Sequence, residues 1–395
     1  MFVKAETQMT AVLKQIAYCS FYLAVIIEVL IVIVNKSAYT NPIEGRLFQI
    51  TFLLFTIKTA LTKYSWKEYL VIFLFLLLGS ASYFITERNE IIRVVMFIAS
   101  CKDVDMYKCL KLVFYMTLAG CIVIILLAAT GIYGAISLQA DFGRGSIETR
   151  YTLGLGHPNA LQCMVWALTT LGLYLYSTKM RWIQYVYVLF VNIIFYLISG
   201  SKTGLIAAVY TILAFFIVSV IKKERLLKLF AAWNIGIYVC GIIASIFIAK
   251  DAMCLWDNSM YGIYVPKVKY YMIFDRVLTG RIGSLIETKS HAGTMQTWSL
   301  FSSPGNTYYF DLGWVRLYYW YGIIPASIAI IVLTLFLFWL YKKGKWEEIV
   351  LISAFALYTV FEAHAVSVYL ARNYVLFIIG MYWYRLECDK REKTQ

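Results

Sequence analysis

Four side chains in this sequence have the chemistry to take a proton from a bound substrate: Asp311, His291 and the two ends of Glu362-x-His364. A general base must come within about 3 Å of that proton, and carboxylates and imidazoles serve well near neutral pH. Three short polar motifs supply complementary groups. Arg150 precedes Gly154, Gly156, His157, Pro158 and Asn159; Ser201, Lys202 and Thr203 lie between Gly200 and Gly204; Asp311 and Arg316 flank Gly313. Each motif opens an apolar run. A helix starting there offers free N–H groups and the positive end of its dipole, so the three together suit an anion. His157 falls in the N-cap region, with Pro158 suited to the first helical position. Ser201, Thr203 and Asp311 are also the residue types of ordinary helix caps, and that reading stands beside the anion site.

The elements that must carry these groups are membrane spans. With 395 residues, 61% of them hydrophobic and 15% charged, the chain departs from soluble domains, which are roughly 45–50% apolar and 25% charged. It reads as an all-α polytopic membrane protein, a single integral membrane domain over residues 1–395. Apolar stretches long enough to cross about 30 Å of hydrocarbon occur around 15–34, 69–86, 107–130, 158–177, 182–199, 204–221, 229–249 and 314–341. Shorter or more polar ones lie at 46–62, 91–101, 346–362 and 373–385. About 12 transmembrane helices are therefore expected, the first an uncleaved anchor.

Basic loops fix the direction. Lys222, Lys223, Arg225 and Lys228, then Lys342, Lys343 and Lys345, then Arg385, Lys390, Arg391 and Lys393 fall on one side if twelve spans alternate. The positive-inside rule makes that side cytoplasmic, together with both termini. One long outer loop, 250–313, then lies between helices nine and ten. Its Trp and Tyr residues suit either an interfacial belt or a sugar-stacking surface. Against the positive-inside bias, Arg46, Arg88, Arg93, Arg150, Lys202, Arg276, Arg281, Arg316 and Arg372 fall at or near the outer face, where ionisable groups are usually paired or functional. Glu28 lies inside the first span with no evident partner. The net charge of +14 is mostly topological, so nucleic acid is set aside as a partner. Eight cysteines without a CxxC pair, and three histidines without HExxH, predict neither a disulfide framework nor a metal site.

Arg150 with Leu153-Gly-Leu-Gly-His-Pro-Asn159, Ser199-Gly-Ser-Lys-Thr-Gly204, Leu278-Thr-Gly-Arg281, Asp311 and Tyr321-Gly-Ile-Ile-Pro325 follow one another in the chain. This ordered set, over about residues 150–380, resembles the O-antigen ligase/polymerase superfamily, and within it the Wzy-type capsular and exopolysaccharide repeat-unit polymerases. The first five helices are similar only in general character. The resemblance implies a GT-C-like glycosyltransferase of the bacterial cytoplasmic (inner) membrane, with its active site on the outer face. It implies inverting transfer between undecaprenyl-diphosphate-linked oligosaccharide donor and acceptor, without cofactor or metal, alongside membrane lipids, a flippase and a chain-length regulator. Family arginines held to bind diphosphate map by motif to Arg150 and Arg281. The Ser-x-Ser-Arg pattern maps to Ser199–Lys202, where Lys202 keeps the charge of the family's arginine but loses its bidentate fork. His157, Asn159, Ser201, Arg276, Arg316 and Arg372 complete the expected substrate-binding set. The ligase branch carries a histidine shortly before the tenth helix, where this chain departs from it with Asp311. As base for the attacking hydroxyl Asp311 is the first choice, His291 the second, and Glu362 with His364 the third.

Three other readings compete. A ligase would move finished glycan to a different acceptor by the same chemistry. A lipid-linked oligosaccharide flippase would need a basic central cavity on helix faces, whereas the cations here gather at helix ends and in the long loop. A multispan scaffold would need no chemistry. No repeat of 20–50 residues is visible, which weakens a transporter of duplicated bundles.

Overall fold

Runs of Leu, Ile, Val and Phe away from water can satisfy their backbone groups only within helices or closed sheets, and here they form helices. A computed structural model describes residues 2–142, 147–287, 291–363, 366 and 369–386. In chain order the helices are α1 (Phe2–Lys36), α2 (Glu44–Ala60), α3 (Trp66–Thr86), α4 (Glu90–Ser100), α5 (Met106–Ala129), α6 (Pro158–Tyr176), α7 (Trp182–Ser199) and α8 (Lys202–Val220). They continue as α9 (Glu224–Asp251), α10 (Met253–Tyr261), α11 (Pro266–Val277), α12 (Gly313–Tyr321), α13 (Ile323–Lys342), α14 (Trp346–Phe361) and α15 (Tyr374–Tyr382). One antiparallel hairpin, β1 (Ser137–Asp141) with β2 (Ile147–Tyr151), stands between α5 and α6.

Among the described residues, α1, α3, α5, α6, α7, α8, α9 and α13 are long and apolar enough to cross a membrane, eight in all. The chain is a multi-pass membrane protein at that level. The four shorter runs also form helices, but the 11 residues of α4 and the 9 of α15 rise only about 14–16 Å, half the hydrocarbon thickness. Helix α14 is buried at nearly every position from Glu348 to Val360 and packs against α6, α8, α9 and α12. Trp166 of α6 lies 4.3 Å from the ring of Tyr358 and 4.9 Å from that of Phe355, and its indole N–H donates to Thr211. Helices α3 and α7 leave most of their apolar surface open, as lipid-facing helices do.

Three expectations are corrected. The run 314–341 is not one helix. Gly322, at φ +92°, divides it into α12 and α13, and a Cβ there would lie 2.6 Å from Phe301 Cα. Residues 299–302 occupy the break: Ile323 N–H donates to the Ser299 carbonyl (2.8 Å) and Ile324 N–H to that of Leu300 (3.0 Å). Second, 250–313 is not a plain loop. Helix α9 runs on to Asp251, and α10 and α11 follow over a second small core that includes Ile282, Leu285, Phe310 and Leu312. Third, Glu28 has a partner. Its carboxylate accepts from Thr51 Oγ1 (2.6 Å) and pairs with Arg93 Nη2 (3.3 Å), while the Arg93 guanidinium lies 3.7 Å from the Phe48 ring centre. Arg93 therefore ties α4 to α1 instead of facing an outer loop.

One end of the bundle is held by Lys102, which pairs with Glu68 (2.7 Å) and whose carbonyl accepts from Lys58. The opposite end gathers Lys36, His157, Asp311, Glu362 and Arg372.

Candidate functional site

Arg150 is delivered by the β-hairpin, where it pairs in register with Leu138. Its Nε (3.0 Å) and Nη2 (2.8 Å) both donate to one oxygen of Glu148, and its guanidinium lies 4.2 Å from the Phe142 ring centre. After β2 the chain turns through Leu153 (φ 50°) and Gly154 (φ 82°), and Gly154 is pressed so closely on α5 that a Cβ would lie 2.9 Å from the Ile124 carbonyl oxygen. The turn aims His157 at the start of α6. His157 is the N-cap, its Nδ1 accepting from Asn159 N–H (3.1 Å), and Pro158 is the first helical residue.

The second motif joins α7 to α8. Gly200 takes φ +68°, and a Cβ on it would meet Arg150 Nε at 3.0 Å, so glycine satisfies both the backbone and the arginine above it. Ser201 occupies the N-cap position of α8 without a side-chain cap hydrogen bond, and Lys202 is exposed with no ion pair among the described residues. Gly204 lets α8 approach α6, since a Cβ there would overlap Gln162. Two helix N-termini are thereby brought side by side. Their free N–H groups are the anion-seeking feature of such ends.

The third component is Arg281. Its Nε donates to the Phe361 carbonyl (2.8 Å), its Nη1 to Thr279 Oγ1 (2.7 Å) and the Leu278 carbonyl (2.9 Å), and its Nη2 to Glu362 Oε1 (2.6 Å). Asp311 lies 3.5 Å from the same guanidinium, with 39% of its side chain exposed. Asp311 does not cap α12, whose N-cap is Leu312 and has no side-chain cap hydrogen bond.

These components surround a cavity of about 230 Å³ lined by Arg150, His157, Asn159, Ser201, Lys202, Thr203, Arg281 and Asp311, with Asp141, Phe142, Gly200, Val277 and Thr279 completing the wall. Burial and the neighbouring Asp311 charge push the Glu362 carboxyl up to about 7, with Arg281 opposing. Partial desolvation in the cleft holds His157 below its ordinary value; Asp311 opposes this, and Arg150 and Lys36 add to it.

Seven residues of the expected base and substrate-binding set, Arg150, His157, Asn159, Ser201, Lys202, Arg281 and Asp311, thus share one cleft, and Glu362 stands behind Arg281. Arg316 lies deeper, 2% exposed, with its guanidinium 3.8 Å from the Tyr309 ring centre and 4.5 Å from that of Trp320, and its Nη2 donating to the Ala363 carbonyl. Arg372 is buried beside Tyr369. Arg276 is exposed on α11 and does not line the cleft. His291 is also elsewhere: its Nδ1 bonds the Ile286 carbonyl (2.8 Å) and its ring packs on Trp256. His364 lies outside the described residues. Sequence reasoning missed Lys36, whose charge acts on Arg372, Glu362 and Arg316. The signal was a lysine closing the first apolar run. Comparison of the chain with protein-family models, curated proteins and solved structures finds no match.

Proposed function

We propose that the chain is a membrane glycosyltransferase that polymerises oligosaccharide repeat units carried on polyprenyl diphosphate, undecaprenyl diphosphate in a bacterial cytoplasmic membrane. The observation that carries this reading is the convergence of two helix N-termini, Arg150, Lys202 and Arg281 with the carboxylate of Asp311 in one cleft. Cations and free N–H groups suit a diphosphate, and a carboxylate beside them suits removal of a hydroxyl proton. On this reading the cleft lies on the outer face, at the end of the bundle opposite Lys102 and Glu68.

In the reaction, the acceptor hydroxyl oxygen attacks the anomeric carbon of the donor glycan. The bond from that carbon to the diphosphate oxygen breaks with inversion, and its electron pair leaves with the lipid diphosphate. Asp311 accepts the hydroxyl proton. Glu362 holds Arg281 from behind through its bond to Nη2. Lys202, free of a carboxylate partner among the described residues, meets the developing charge first. Arg150 and Arg281 are each neutralised by a carboxylate, so an incoming diphosphate competes with Glu148 and Glu362 for them. Such preorganised donors act where charge develops.

Purified protein in vesicles, supplied with lipid-linked repeat units, gives a ladder of repeat lengths on the same lipid if the proposal holds. Transfer to a different acceptor means a ligase. If Arg150→Ala and Arg281→Ala both leave polymer length and rate unchanged, the cleft does not bind diphosphate.

A further inference from the structure

Helix α11 carries apolar residues on two opposite faces. At helical spacing, Val268, Tyr271, Asp275 and Leu278 turn inward: Val268 is fully buried and the Tyr271 hydroxyl donates to the Phe247 carbonyl. On the other side Tyr270, Ile273, Phe274 and Val277, at i, i+3, i+4 and i+7, are 63%, 52%, 58% and 66% exposed. Lys267 borders that outer stripe on one flank, and Lys269 and Arg276 on the other. An apolar stripe edged by cations, on a helix anchored from its opposite side through Val268 and Tyr271, has the form of an interfacial helix.

We propose that α11 lies on an anionic phospholipid surface, its outer stripe in the headgroup–acyl boundary, and that this docking fixes one wall of the cleft. Two observations select lipid as the occupant. The first is charge: Lys269 and Arg276 make no ion pair among the described residues and border the stripe as anionic headgroups require. The second is continuity. Helix α9 is long and apolar enough to cross a membrane and ends at Asp251, which Lys267 grips at 2.8 Å. The start of α11 is thus tethered where the chain leaves the bilayer.

The other end of α11 is tied to the cleft. Asp275 accepts from Ile282 N–H (2.7 Å) and Gly283 N–H (2.9 Å), closing the turn through Thr279 (φ 55°) and Gly280 (φ 79°) that presents Arg281. Val277 and Thr279 themselves line the cleft. Asp275 thus joins α11 to the turn that carries Arg281.

The test does not depend on catalysis. The full chain, with 4-trifluoromethylphenylalanine in place of Phe274, is placed in nanodiscs containing phosphatidylglycerol, and fluorine relaxation by lipid-soluble oxygen is compared with that by an aqueous nickel chelate. Oxygen is expected to dominate severalfold. Lys269→Gln and Arg276→Gln each weaken docking by about five-fold, equivalent to ~1 kcal/mol per basic residue near an anionic surface, and shift the balance toward nickel. Dominance of nickel in anionic discs overturns the proposal, as does shielding from both agents, which means that protein covers the stripe. The same label at buried Phe355 reports that each variant is folded.

Discussion

Arg93 meets Glu28, and Arg281 meets Glu362, but only the second pair has an opening beside it. The first is enclosed by α1, α2 and α4, with side chains 6% and 1% exposed and a single carboxylate for the single cation. The second adds Asp311, 39% exposed, and borders the cleft. A buried pair balanced in itself has no affinity left for a ligand. A cation shared by two carboxylates at a cavity wall can exchange one of them for an incoming anion. Number of partners and access, more than residue type, separate a strut from a site.

The sharpest way to break that contrast is to remove one partner of the closed pair. Arg93→Ala or Glu28→Ala should cost about 3–5 kcal/mol, because an unpaired charge remains buried, as measured by unfolding in detergent. The double variant Glu28→Leu/Arg93→Met should recover most of that loss while turnover per folded molecule stays near the parent value. At the open site the weight reverses. Arg281→Ala should lower turnover by about 10²–10³-fold with a smaller loss of stability; an unfolding change as large as that of Arg93→Ala would make Arg281 a strut as well. Gly200→Ala should cost about 1–2 kcal/mol for a side chain in the left-handed region, and should displace Arg150, raising KM more than it lowers kcat. The smallest effect is in pH. The fold disfavours ionised Glu362, so its contribution to stability is complete below the ordinary carboxylate range and lost as pH rises through about 7. Turnover should rise through the same interval as Glu362 ionises and holds Arg281 in place. Glu362→Gln should flatten both profiles.

The helix starts were legible because their signals are local. Gly154, His157 and Pro158 prescribe a turn, a cap and a first residue within a few positions of one another, and the structure carries out all three. The grouping of Arg150, Lys202, Arg281 and Asp311 was legible only as a shared position at helix ends. What brings them within one cavity is the fit of Gly200 under Arg150 and of Gly204 against Gln162, and neither contact leaves a trace along the chain. Glu28 lacked an evident partner because Arg93 is 65 residues away in sequence. The break at Gly322 was hidden for another reason: Ile323 and Ile324 continue an apolar pattern, and the residues that stabilise the break, 299–302, belong to a different segment. Helices α10 and α11 escaped notice because aromatic and basic residues diluted the periodicity expected of a packed helix.

Synthesis proceeds from the N-terminus, so residues 299–302 leave the ribosome before α13 does. When α13 enters the bilayer, the carbonyls that will receive Ile323 and Ile324 N–H are already present. The first turn of the helix therefore finds its acceptors in a segment made before it, which spares those donors from facing hydrocarbon unpaired in the finished fold. A side chain at position 322 would obstruct that pairing during manufacture, and its signature would be a poor yield of protein instead of an altered cleft.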